Sequence, residues 1–98
     1  MKSAFKSVPI KWMDKDTRKT FVKNVGMFCF DRFAFSKNYS DLVEPFGATD
    51  LNSGMGIKTF NSFGEARRFA EYLERRFPKD RLPIENLDLM RKLVREFK

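Results

Sequence analysis

The sequence predicts an α+β domain: an antiparallel sheet of three or four strands, opening with an N-terminal hairpin, and two C-terminal helices packed on one face of it. Three observations carry this prediction. Alternating and Phe/Val-rich segments occupy the chain up to Phe60, helical periodicity begins only after Ser62, and 98 residues supply a single core. A chain of this length buries roughly 60–65% of its unfolded surface, too little to divide between two domains. Residues 1–98 are therefore one unit.

The first strand is expected at about 4–13. In "AFKSVPIKWM", Val8, Ile10 and Trp12 fall on one face and Ser7, Pro9 and Lys11 on the other, the alternation of a half-buried strand. Pro9 has no N–H to give to a ladder, which places the strand at a sheet edge. The polar turn "DKDT" (Asp14 to Thr17) closes a hairpin, and a Phe- and Val-rich strand follows over about 19–35. Val25 to Phe30 is apolar on both faces and reads as its buried centre, with Cys29 inside it. From Ser40 to Gly54 the composition turns to Asp, Asn, Pro and Gly, a loop with one helical turn starting at Ser40.

A third strand is expected at about 55–60, running straight into a helix at about 63–77. Ser62 and Glu65 have the spacing of a capping box, in which the serine accepts from a first-turn N–H and the glutamate reaches back. Phe63, Ala66, Phe69, Ala70, Leu73 and Phe77 form one apolar stripe, and Pro78 stops the helix. A second helix at about 84–97 places Leu87, Met90, Val94 and Phe97 on one side. Its cations Arg91, Lys92, Arg95 and Lys98 crowd the C-terminal end, where the helix dipole favours them.

The formal charge of +7 is uneven: nine Lys/Arg against three acids in 1–40, one against four in 41–65, and ten against six in 66–98. Two basic ends flank an acidic middle. That balance suits phosphate backbones, and it also keeps a small domain soluble. No apolar run approaches the ~18 residues of a membrane span, and the Lys-interrupted N-terminus lacks the apolar region of a secretion signal. A lone Cys forms no internal disulfide, so a reducing interior such as the cytoplasm is expected, and the sequon Asn38-Tyr39-Ser40 is then accidental.

Several chemistries fall away. There is no His, hence no Ser-His or Cys-His dyad, and one Cys cannot build a structural zinc site. Gly54 and Gly56 complete neither a P-loop nor a dinucleotide fingerprint. No pair among Asp41, Glu44 and Asp50 converges on a site from spacing alone. No enzyme, metal or cofactor is expected.

Two local patterns resemble known families. Ser53 to Phe60 resembles the RNP1 strand of the RNA-recognition motif in Gly54, Gly56 and Phe60, and the helix after it matches as well. It departs where the family stacks bases, since those positions hold Met55 and Ile57, and Lys58 stands where an aliphatic residue points inward. "DKDT" resembles the nucleophile loop of haloacid-dehalogenase phosphatases, but Arg18 replaces the Thr or Val such loops carry, and a hairpin turn accounts for the stretch. Neither resemblance supplies a function.

What remains is a small non-enzymatic binding module with a basic surface that takes up RNA or single-stranded nucleic acid. The expected contacts are Lys11, Arg18, Lys19, Lys23, Arg32 and Lys37 from the hairpin region, and Arg67, Arg68, Arg75 and Arg76 as two doublets on the first helix. Phe33, Phe35 and Phe46 lie near cations and are candidates for stacking or for anchoring a partner, with the core as their other destination. The alternative is a protein-interaction module: a small regulatory or inhibitory accessory factor, such as one from a phage or mobile element, docking on a larger protein or nucleoprotein complex. Its motivation is the excess of phenylalanine, twelve in all, together with the acidic Asp41 to Asp50 stretch.

Overall fold

A computed structural model describes residues 1–37 and 43–97, with Trp12 described by its backbone alone. The sequon, the helical turn from Ser40, Asp41 and Lys98 lie outside the described residues. Five strands form one antiparallel sheet in the order β1-β2-β3-β4-β5: β1 (Ala4–Met13), β2 (Thr20–Cys29), β3 (Phe33–Lys37), β4 (Phe46–Asp50) and β5 (Met55–Phe60). Helix α1 (Phe63–Arg76), a 3₁₀ turn (Pro83–Glu85) and helix α2 (Leu87–Glu96) complete the chain. No helix is long and apolar enough to cross a membrane.

The strand count corrects the expectation of three or four in two places. The expected 19–35 strand breaks at Asp31-Arg32, where Phe30 N donates to Phe33 O at 2.8 Å and the chain reverses into β3. The expected loop contains β4, whose "FGATD" reads as turn chemistry yet pairs on both sides. Its small residues have a packing reason: Ala48 is buried in the cluster beneath α1, where a larger side chain would hold the helix off the sheet.

The register sorts the side chains onto two faces. Phe28, Phe33, Phe35, Ala48 and Phe60 join Ala66, Phe69, Ala70, Leu73 and Phe77 from α1, and Met90 and Leu93 from α2, in the main core. Burying a Phe or Leu side chain contributes about 1.5–3 kcal/mol, so this cluster supplies most of the driving force. On the other face Ile10, Val25, Met27, Cys29 and Ala34 form a second cluster, with Val8 and Leu51 against it. The sheet curls around that cluster: a Cβ on Gly54, in the β4–β5 turn, would lie 3.8 Å from both Ile10 Cδ1 and Pro9 O in β1. Gly54 has φ +72°, a conformation that glycine adopts without strain.

Ser62 caps α1 as expected, its Oγ accepting from Glu65 N at 3.1 Å, and the helix ends at Arg76 before Phe77 and Pro78. Two helix details differ. Phe63, expected on the buried stripe, is 40% exposed because it precedes the first full turn over the sheet. In α2 the inward residues are Met90 and Leu93, Leu87 is exposed, and the helix begins three residues late because Pro83 starts a 3₁₀ turn instead.

Candidate nucleic-acid interface

β1 and β2 pair through ten successive register positions, whereas β2 and β3 pair only at Phe28↔Phe35 and Cys29↔Ala34. The distal half of the hairpin therefore projects past the rest of the sheet. Every residue from Met13 to Asn24 is exposed, and the end of β1 at Met13 stands roughly 10 Å beyond Ile10, the last buried β1 side chain among the described residues. This arm is ordered by its own bonds. Asp14 N donates to Lys19 O and Arg18 N to Asp14 O, both at 2.9 Å, while Asp14 Oδ1 accepts from Asp16 N at 2.8 Å and Thr17 N at 3.1 Å. Those bonds from Thr17 and then Asp16 hold the Asp14 carboxyl below the usual carboxylate range. Arg18 takes φ 59° to complete the turn.

The arm carries Lys11, Lys15, Arg18, Lys19 and Lys23 against Asp14 and Asp16, a net +3 from five cations and two acids. Lys11, Arg18, Lys19 and Lys23 from the sequence prediction thus come together on one projecting element. Met13, Phe21 and Val22 are exposed beside them at 63%, 49% and 62%.

Arg32 does not join them. Its guanidinium donates to the last carbonyls of α1 and beyond, Pro78 O at 2.9 Å, Phe77 O at 2.8 Å and Glu74 O at 3.2 Å, and lies over the Phe33 and Phe77 rings. Glu74 answers by accepting from the backbone N–H groups of Arg32 and Phe33. The pair buckles the β2–β3 turn to the end of α1. Phe33 and Phe35 take the other destination the sequence offered, the core: both are fully buried, because β3 is the central strand beneath α1. Phe46 is half-buried, edge-on to Phe63 at 5.8 Å.

The helix doublets divide. Arg67 is held by Glu71 at 3.0 Å and by Met1 O at 3.0 Å, with its guanidinium over the Phe30 and Phe35 rings. Arg75 shares Glu71 at 3.3 Å but is largely in solvent, and Arg76 rests over Tyr72. Arg68 is exposed and makes no ion pair among the described residues. Lys37 ends β3 beside a trough of about 470 Å³ across the curled face, floored by Ile10, Val25 and Met27 and lined also by Lys58.

Two features escaped the sequence reading. Lys2 and Lys6 meet Arg75 and Lys79, with Asp31 and Glu74 among them, around a notch of about 600 Å³ at the start of β1, a juxtaposition only the tertiary fold creates. Phe5, on exposed edge strand β1, is 67% exposed and packs edge-on to Phe28 at 4.9 Å. Its alternation opposite Val8 and Ile10 was the available signal, since it predicts that Phe5 shares the face away from them.

Among the described residues no group of three or more His, Cys, Asp or Glu could hold a metal ion. Burial pushes the Cys29 thiol up, with Lys6 opposing weakly, so it stays a protonated core residue. The fold and site define the chain as a small α+β domain with a projecting basic hairpin. No protein-family model, curated protein or solved structure matches it.

Proposed function

We propose that the protein is a non-enzymatic module that binds nucleic acid, RNA or single strands, through the β1–β2 arm. The observation that carries this reading is the arm itself: twelve consecutive exposed residues, ordered by a bonded turn, with cations in excess and no part in either core. Lys11, Arg18, Lys19 and Lys23 are its phosphate contacts, supported on the body by Arg68, Arg75 and Arg76. Around the notch at the start of β1, Lys2, Lys6, Arg75 and Lys79 outnumber Asp31 and Glu74 and add to the basic surface. Phosphate contacts of this kind release counterions, so affinity falls steeply with salt. Anisotropy titration of labelled oligonucleotides at two salt concentrations tests the reading, and absence of binding even at low salt eliminates it.

A second reading is favoured by Met13, Phe21 and Val22, which are too exposed on the same arm to serve the fold. They suit a protein partner, with the chain acting as a small regulatory or inhibitory accessory factor, such as one from a phage or mobile element, docked on a larger complex. Affinity capture with and without nuclease separates the two. Partners that persist after nuclease favour this second reading, and partners that vanish favour nucleic acid.

A further inference from the structure

Helix α1 lies mainly over β3, β4 and β5 and reaches β2 at Phe28, and among the described residues no helix packs on the same face of β1 beyond it. Along that boundary runs a chain of aromatic rings. Phe5 packs edge-on to Phe28 at 4.9 Å, Phe28 edge-on to Phe63 at 5.4 Å, and Phe28 stacks on Phe35 at 5.4 Å. Phe5 and Phe63, flanking Phe28, are 67% and 40% exposed. Most exposed aromatics are free to move, but Phe5 is seated. A Cβ on Gly26 would lie 2.6 Å from Phe5 Cζ, so the ring occupies the space that the glycine leaves on the neighbouring strand. One side of the ring is thus fixed against protein and the other is open.

We propose that Phe5 and Phe63 form a stacking surface for unpaired bases of a single-stranded nucleic acid, an inference that rests on the nucleic-acid reading of the preceding section. An aromatic held in place before binding loses little freedom when a base stacks on it, and every base has a π-face to offer. Charge complementarity selects this occupant over an apolar peptide. Arg67 is taken up by Glu71 and Met1 O, but Arg68, which makes no ion pair among the described residues, has its Nη1 3.7 Å from where a Gly64 Cβ would stand, one residue after Phe63. Glu65 is the acid on the same first turn, and it is half-buried at the capped end. The arm grips phosphates of any strand; the ring surface requires bases that are not paired. Single-strand preference is assigned to Phe5 and Phe63, and overall affinity to the arm.

The test uses the full chain and two labelled single strands of equal length and charge, one with bases and one abasic, titrated by anisotropy at fixed salt. The wild type is expected to bind the base-bearing strand roughly ten-fold tighter. Phe5→Ser removes most of that ratio while leaving the salt slope unchanged; losing the contact with Phe28 lowers Tm somewhat, so binding is measured well below it. Gly26→Ala, which unseats the ring without deleting it, has the same effect in smaller measure. Equal affinity of the wild type for both strands, or a ratio untouched by Phe5→Ser, overturns the stacking surface and leaves the phosphate-binding arm standing. No binding of either strand at low salt overturns both.

Discussion

Replacing Arg32 by Ala should unfold the junction between the β2–β3 turn and α1 without touching any nucleic-acid contact. Three carbonyls, of Glu74, Phe77 and Pro78, lose their donor at once. Hydrogen bonds from a charged group contribute about 1.5–3 kcal/mol each. They share one side chain, whose ordering costs about 2 kcal/mol, and at 23% exposure water recovers part of the loss. The net cost is about 3 kcal/mol, which for a domain of this size lowers Tm by roughly 12–24 °C. Arg32→Lys reaches one carbonyl rather than three and should recover about a third of the loss.

Glu74 supplies the control. Its Oε1 accepts from two backbone N–H groups, and the side chain is 8% exposed, so Glu74→Ala orphans both donors and costs about 2–4 kcal/mol. Glu74→Gln keeps an oxygen for both donors and gives up only the 3.7 Å ion pair, which should cost under about 1 kcal/mol. Thermal and urea melts followed by circular dichroism give these values, and oligonucleotide binding measured well below every Tm gives the other coordinate. An Arg32→Ala protein that melts within about 2 °C of wild type yet has lost binding would refute the buckle and return Arg32 to the interface.

Three further outcomes are expected. Substituting Lys11, Arg18, Lys19 and Lys23 together by Ala should flatten the single-strand log–log salt slope by roughly 2.8, at about 0.7 per phosphate, with melting nearly unchanged; an unaltered slope places the phosphates elsewhere. Because the Asp14 carboxyl is held below its ordinary 3.8, its contribution to the turn is present above that value and fades as pH falls through the lowered one. Amide chemical shifts of Asp16 and Thr17 followed from neutral pH into acid report that loss, which Asp14→Asn should abolish. Cys29, 5% exposed with its thiol pushed up, should react with a water-soluble disulfide reagent at pH 8 only as fast as the sheet opens, and rapidly in denaturant; fast reaction in the native protein contradicts its burial.

The elements written in local chemistry were legible. Pro9 marked an edge strand, Asp14 to Thr17 a hairpin, Ser62 to Glu65 a helix start and Pro78 a stop, and each depends on residues within one turn of itself. What was not legible depends on distant partners. The β2–β3 reversal at Asp31-Arg32 contains neither Gly nor Pro and is secured by Glu74 on α1, more than forty positions away in the sequence. β4 was disguised because Gly47 and Asp50 read as turn residues. Asp50 indeed accepts from Asn52 N and Ser53 Oγ, but it does so as the last residue of a paired strand.

The same division governs the site. A sequence counts cations but not their partners, so Arg32 and Arg18 looked alike, although one is clasped by three carbonyls and the other stands on an exposed turn. Phenylalanines were equally indistinct: Phe33 and Phe5 each alternate within a strand, and only the span of α1 decides that one is covered and the other bare. The proposed reading favours the cations of the arm, because stability does not explain the arm. Among the described residues the second core ends at Ile10 and Val25, and the strands run on past them, exposing Met13, Phe21 and Val22 to water while gathering five cations. A hairpin trimmed at that core would leave less apolar surface in solvent and a shorter exposed edge, both favourable to a lone domain. Its retention, with a bonded turn to keep it extended, is a cost to the isolated fold that contact with a larger, negatively charged molecule would offset.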